Sequence, residues 1–241
     1  MATSSEGKVK MKQDPIITKA LERGQSALSE HDSKLLIEKY GVTISTEKLA
    51  STADEAAAAA NELGYPIVLK ACGPEVSHKT ERELVEIDLK SEDEIRKAFE
   101  KIRANLGSDP SEGVIVQKMV PTERELAIGL IRDPQFGPCV MFGLGGIFTE
   151  ILKDTSFRVA PITEEDALQM MDDIRAKDIL GPVRGKPPVD RKLLAKALVG
   201  LGRIGIEQEN VAEIDVNPLI VGPDGASIAV DALVVLSKDS S

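Results

Sequence analysis

The sequence predicts an α+β protein built from two lobes, on three observations. Capped helical stretches alternate with short apolar strands as far as residue 107. A turn-rich connector, Ser108 to Gly113, marks a shift in composition, after which strand signals dominate. The chain then closes on two apolar-alternating strands joined by the turn Pro223-Asp224-Gly225. The expected division is a flexible amino-terminal arm over residues 1–24, a first lobe over 25–110 and a second over 111–241. The arm is polar and poor in large apolar residues, a composition that favours solvation.

In order, Ser29 to Tyr40 reads as a helix that stops at Gly41, and Val42 to Ser45 as a short strand. Thr52-Ala53-Asp54-Glu55 is a capping-box pattern ahead of an alanine-rich helix ending at Gly64. Ile67 to Lys70 and Val85 to Leu89 are strands. Ser91 caps a helix whose Ile95, Ala98, Phe99 and Ile102 recur at helical spacing. Val114–Val120, Glu125–Ile131 and Cys139–Phe142 read as strands. Thr163–Ile174 and Asp190–Ile204 read as helices, and Val211–Val221 and Ser227–Leu236 as the closing pair of strands.

Composition narrows the function classes. The 241 residues carry a formal net charge of −10, which argues against a general electrostatic grip on nucleic acid or an anionic membrane. Five phenylalanines, two tyrosines and no tryptophan leave little for base stacking. No apolar run reaches the length of a membrane span and no signal peptide is visible. Cys72 and Cys139 form no CxxC pair, so a reducing, cytoplasmic setting is expected, with no structural zinc.

Two features carry the chemistry. The apolar strand Ile67–Leu69 ends on Lys70, which either meets nucleotide phosphates as a point charge or marks where the strand reaches the surface. The polar loop from Gly73-Pro74 to Glu83 carries His78, one of only two histidines. A neutral imidazole there is a nucleophile that can accept a phosphoryl group, with Lys79 and Arg82 beside it to attract a dianion. His31, on a helix, reads as structural.

Four further candidates follow. Gln117-Lys118-Met119-Val120 runs from strand into a proline turn, where backbone groups at Met119 and Val120 suit an adenine edge; Glu125 is placed to accept a ribose hydroxyl, or is simply exposed. The glycine loop at Gly143, Gly145 and Gly146 lets backbone approach an anion closely, without the Walker or GxGxxG spacing. Arg158 can neutralise a transferring phosphoryl group or pair with Asp154. Finally, Glu213, Asp215 and Asn217 share one face of a strand, and Asp231 lies on the next. Antiparallel pairing would set Asp231 near Asn217 and offer Mg²⁺ two oxygen ligands; the alternative is a solvated acidic face.

This order of parts resembles the ATP-grasp fold: a Pro-Ile-Val-Leu-Lys strand, a Val-Gln-Lys-Met-Val hinge, a glycine loop, and Glu-Ile-Asp-Val-Asn-Pro-Leu before an aspartate strand. More closely, it is similar to the small β subunits of ADP-forming acetyl-CoA synthetases, from about residue 25 to 236, most specifically at Glu75–Glu81 and Glu213–Pro218. The resemblance implies a subunit that interconverts ADP and ATP with Mg²⁺, partnered by a CoA-binding α subunit in an α2β2 heterotetramer. It implies that His78 carries phosphate, that Lys70 and Gln117–Val120 bind nucleotide, that Glu125 binds ribose, and that Asn217 and Asp231 hold Mg²⁺. The histidine loop stands where succinate-type β chains have a glycine- and lysine-rich stretch. Rival expectations are a carboxylate–amine ligase without phosphohistidine and a nucleotide-sensing subunit without chemistry.

Overall fold

The computed structural model describes residues 13–74, 76, 79, 81–108, 110–121, 124–146, 154–183 and 185–237. Its helices begin where side-chain oxygens can cap them. Asp14, ahead of Pro15, accepts from the Ile16 amide and opens α1 (Pro15–Glu22). Ser29 accepts from the Asp32 amide and opens α2 (Glu30–Glu38). Thr52 and Ser91 do the same for α3 (Ala53–Leu63) and α4 (Glu92–Leu106). There the reciprocal carboxylate reaches one residue further out than a capping box requires, Glu55 to the Ser51 amide and Glu94 to the Lys90 amide. The complete capping box is at Thr163 and Asp166, opening α5 (Glu164–Asp173).

The first sheet contains β1 (Glu47–Ala50), β2 (Ile67–Cys72), β3 (Val85–Leu89) and β4 (Gly113–Lys118), all antiparallel in the order β1-β4-β2-β3. Period-2 alternation turns Ile67, Leu69, Ala71, Val114 and Val116 toward α3 and α4, where they pack with Ala56, Ala60, Ile95, Phe99 and Ile102. Val68, Lys70, Ile115 and Gln117 therefore belong to the opposite face.

The second sheet contains β5 (Glu125–Asp133), β6 (Gly137–Leu144), β7 (Thr155–Val159), β8 (Val211–Val221), β9 (Ser227–Ala229) and β10 (Leu233–Leu236). Its order is β10-β8-β5-β6-β7, with β9 beside β8. Leu126, Ile128, Leu130, Val140, Phe142, Ile214 and Val234 form one core with α5 and α6 (Arg191–Glu207).

Several expectations change. The lobe boundary does not fall at residue 110, because β4 pairs with β1 and β2 of the first sheet. Nor do residues 25–42 belong with that sheet: Leu28, Leu36, Ile37 and Val42 pack into the second core. The part of the expected arm from Pro15 to Glu22 is a helix, with Ile17 fully buried in that same core. An Asp-Pro start and the spacing Ile17, Ala20, Leu21 carried this signal. Val42–Ser45 contributes only a bridge from Ile44 to Ala229, and the strand comes later, at Glu47–Ala50. Strand β7 was not expected. The stretch Ser227–Leu236 breaks into β9 and β10, leaving Asp231 in the gap between them.

Helix α2 joins the lobes. Ile37 and Leu36 enter the second core, while Glu30 and Lys34 reach Lys70 and Gln117 on the open face of the first sheet.

Candidate active site

A cavity of about 620 Å³ opens between the sheets at the start of α2, a size suited to a small ligand. Glu30, Lys79, Asp215, Asn217 and Asp231 line it. Glu30 and Lys79 belong to a group of charged side chains that composition alone does not reveal. Glu30, with a side chain 1% exposed, accepts on Oε1 from Lys34 at 2.7 Å and from Lys70 at 2.8 Å, and on Oε2 from Lys79. Lys34 is fully buried and also donates to Glu47 Oε2 at 2.7 Å and to Gln117 Oε1 at 2.9 Å. Lys70 donates its second bond to the Val230 carbonyl at 2.6 Å.

Burial works to raise the Glu30 carboxyl, yet Lys70, Lys34 and Lys79 together hold it well below its ordinary value. Burial works to neutralise Lys34, and Glu30 and Glu47 outweigh it, so its ammonium is held above the usual value. In Lys70 burial prevails over Glu30 and the value is lowered. Removing one partner of such a buried set is costly, because the others are left charged without a counter-ion.

His31 borders this group. Its Nδ1 meets Glu47 Oε1 at 2.9 Å, and that bond raises the imidazole above its ordinary value against partial burial. A value raised on folding stabilises the fold fully while pH lies below the ordinary imidazole value. The gain is lost as pH rises through the raised one. His31→Gln is expected to melt below the wild type at about pH 5.5, with the gap narrowing by about pH 8.5, checked by thermal denaturation at both pH values.

The metal-binding expectation rests on β8. Leu219 pairs with Ala229 and Asp215 with Leu233, so continuous register would set Asn217 opposite Asp231. The strand breaks at that point, and both side chains reach the cavity. Asn217 Oδ1 also accepts from the Gly146 amide at 3.0 Å, tying the glycine loop to β8. Burial, then Glu213 and Asp231, pushes Asp215 up to about 6. Crowded carboxylates with an amide oxygen form an all-oxygen donor set that fits Mg²⁺. Among the described residues no three His, Cys, Asp or Glu groups gather closely enough to hold a metal themselves, so such an ion would take oxygens from its ligand as well.

The glycine loop is built by close approach. A Cβ on Gly145 would lie 2.4 Å from the Leu126 carbonyl. Gly146 has φ +60°, and a Cβ there would lie 1.9 Å from Glu125 Oε2. Glu125 thus sits directly beneath the loop.

Other candidates fall elsewhere. Lys118 follows Gln117 by one residue and so points to the opposite face, where Nζ donates to the Gly64 and Tyr65 carbonyls at 2.7 Å each. Its side chain holds the end of α3 and does not face the cavity. The Met119 amide donates to the Pro66 carbonyl at 3.1 Å and is not available to an adenine edge. Gln117 is buried against Lys34. Arg158, on β7, alternates onto the helix-covered face at the far edge of the second sheet and pairs with Asp173 at 2.5 Å. Neither the catalytic role nor a pair with Asp154 fits, since Asp154 accepts from the Arg175 and Ala176 amides. His78 lies outside the described residues.

The residues missed were Glu30, Lys34 and Glu47, with Lys79 noticed only as a neighbour of His78. Positions 30, 33, 34 and 37 form one helical stripe, and a charged pair four apart within it was the available signal. No helix among the described residues is long and apolar enough to cross a membrane.

Comparison with known proteins agrees with this fold. The family described as ATP-grasp domain matches residues 19–236. The β subunit of acetate–CoA ligase [ADP-forming] I of Pyrococcus furiosus is 45% identical over 87% of this chain and 91% of its own length. A solved structure of acetyl-coenzyme A synthetase 1 of Ca. Korarchaeum cryptofilum, in complex with coenzyme A and Ca-AMPCP, superposes with a TM-score of 0.87 at 44% identity, covering 92% of this chain and 98% of that one. Another structure of that enzyme, with Mg-AMPPCP and its phosphohistidine segment pointing towards the nucleotide-binding site, gives a TM-score of 0.82 at 43% identity over the same shares. Fold and sequence together place this chain in the ATP-grasp family, with the β subunits of the ADP-forming acetate–CoA ligases.

Proposed function

We propose that the chain is the nucleotide-binding β subunit of an ADP-forming acyl-CoA synthetase, interconverting acyl-CoA, ADP and phosphate with carboxylic acid, CoA and ATP. The observation that carries this reading is the likeness to the Pyrococcus furiosus subunit over 87% of this chain. The cavity between the sheets supports it, with an oxygen donor set on one wall and, beside it, Lys79 held on Glu30.

In the direction of ATP use, a neutral imidazole nitrogen of His78 attacks the γ-phosphorus. The bond to the bridging oxygen breaks and ADP leaves with the electron pair. Lys70 offsets phosphate charge, Glu125 receives the ribose, and Gly145 and Gly146 let backbone approach the phosphates. The Lys118 side chain, the Met119 amide and Arg158 have no part in it. Asn217 and Asp231 would hold Mg²⁺, which supplies charge neutralisation when bound. The acyl step needs a CoA-binding α subunit, and the assembly is proposed as an α2β2 heterotetramer in the cytoplasm.

The test is ATP formation from acetyl-CoA, ADP and phosphate. The chain mixed with a CoA-binding subunit of this class should form ATP, and neither partner alone should. ATP-dependent amide formation from a carboxylate and an amine by the chain alone would favour the amine-ligase reading instead.

A further inference from the structure

We propose that Lys79 is a polyphosphate-binding residue of the cavity and that Glu30 is the positioning residue that presents it. This inference rests on the nucleotide-binding reading above. The two oxygens of Glu30 are used differently: Oε1 is shared by Lys34 and Lys70, whereas Oε2 takes Lys79. An ammonium has three donors and no acceptor. Among the described residues, Lys34 spends its donors on Glu30, Glu47 and Gln117 and is fully buried, so it acts as a fixed anchor. Lys70 is held by Glu30 and the Val230 carbonyl. Among the described residues, Lys79 makes one hydrogen bond, to Glu30, and an ion pair with Asp231 at 3.7 Å, beyond hydrogen-bond length.

Lys79 is also the lysine of the three whose side chain lines the cavity. Its side chain is 16% exposed, against 9% for Lys70 and none for Lys34. Asp231, the acid that faces Lys79 across the cavity, stands at 3.7 Å and is 40% exposed, so a polyphosphate entering there can replace that loose pair with oxygens at hydrogen-bond distance. Glu30, clamped from behind by Lys34 and Lys70, fixes where the Lys79 ammonium stands.

The test measures binding of MgADP, inorganic tripolyphosphate and adenosine to the full chain by calorimetry, with thermal melting as the folding control. Lys79→Met should weaken MgADP and tripolyphosphate about tenfold, equivalent to about 1.4 kcal/mol, and leave adenosine unchanged. Lys79→Arg, which keeps the charge, should recover part of the loss. Glu30→Gln should weaken both phosphate ligands although every ammonium remains, and Glu30→Asp should weaken them less. If Glu30→Gln does not fold, the Lys79 variants and Glu30→Asp decide the matter. Wild-type tripolyphosphate affinity in Lys79→Met, or tighter phosphate binding in a folded Glu30→Gln, would overturn the proposal. A wild type that binds neither MgADP nor tripolyphosphate would instead overturn the nucleotide reading beneath it.

Discussion

Lys34→Met is expected to destabilise the chain by about 3–5 kcal/mol, the range for breaking a buried ion pair, and to lower Tm by roughly 6–20 °C for a protein of this size. Methionine fills much of the lysine's volume, so cavity formation contributes little. The loss is electrostatic. Lys34 is fully buried and bridges Glu30 and Glu47. Without it, Glu47 keeps His31 alone among its described ion-pair partners, and Glu30 must be balanced by Lys70 and Lys79. The substitution also severs the tie from α2, which packs in the second core, to Gln117 of the first sheet. Both lobes should therefore lose stability together in chemical denaturation. Lys48→Met is the control: its pair with Glu62 is exposed, and such pairs contribute about 0–1 kcal/mol. Equal stability of the two variants would mean that the buried group is not ionised as described.

Asp231→Asn should raise the Mg²⁺ concentration needed for half-maximal MgADP binding at least about tenfold, the effect of losing one charged ligand. Binding of ADP without Mg²⁺ should stay the same or tighten slightly, because a negative charge leaves a cavity that receives an anion. The opposite directions separate a metal role from a structural one. The side chain is 40% exposed in a strand break, so the substitution should leave the fold intact. Equal loss of both affinities would place Asp231 outside the metal site.

Local chemistry made much of the fold legible. Ser29, Thr52, Ser91 and Thr163 each cap a helix because a short side-chain oxygen satisfies an otherwise unpaired amide. The turn at Pro223–Gly225 and the alternation of Val211–Val221 likewise read directly as a hairpin. Lobe membership was not legible, because β4 joins the first sheet through partners 41 to 70 residues away. The site divides along the same line. Strand period singled out Asn217, and the register of the hairpin singled out Asp231; both line the cavity, Asp231 from the break between β9 and β10. Applied to two more residues, the same period would have removed Lys118 and Arg158, which alternate onto helix-covered faces. Glu30, Lys34 and Glu47 were missed because charged residues are expected at the surface, and only tertiary contact shows α2 and β1 burying them against one another.

The central claim is that His78 takes a phosphoryl group from nucleotide bound between the lobes. The most direct measurement incubates the full chain with Mg²⁺ and ATP labelled in the γ-phosphate, then maps the label by peptide analysis. The account predicts label on His78, lost in acid, kept in base and absent from His78→Asn. Label on a carboxylate, or nucleotide binding with no labelled protein in the presence of the CoA-binding partner, would contradict it.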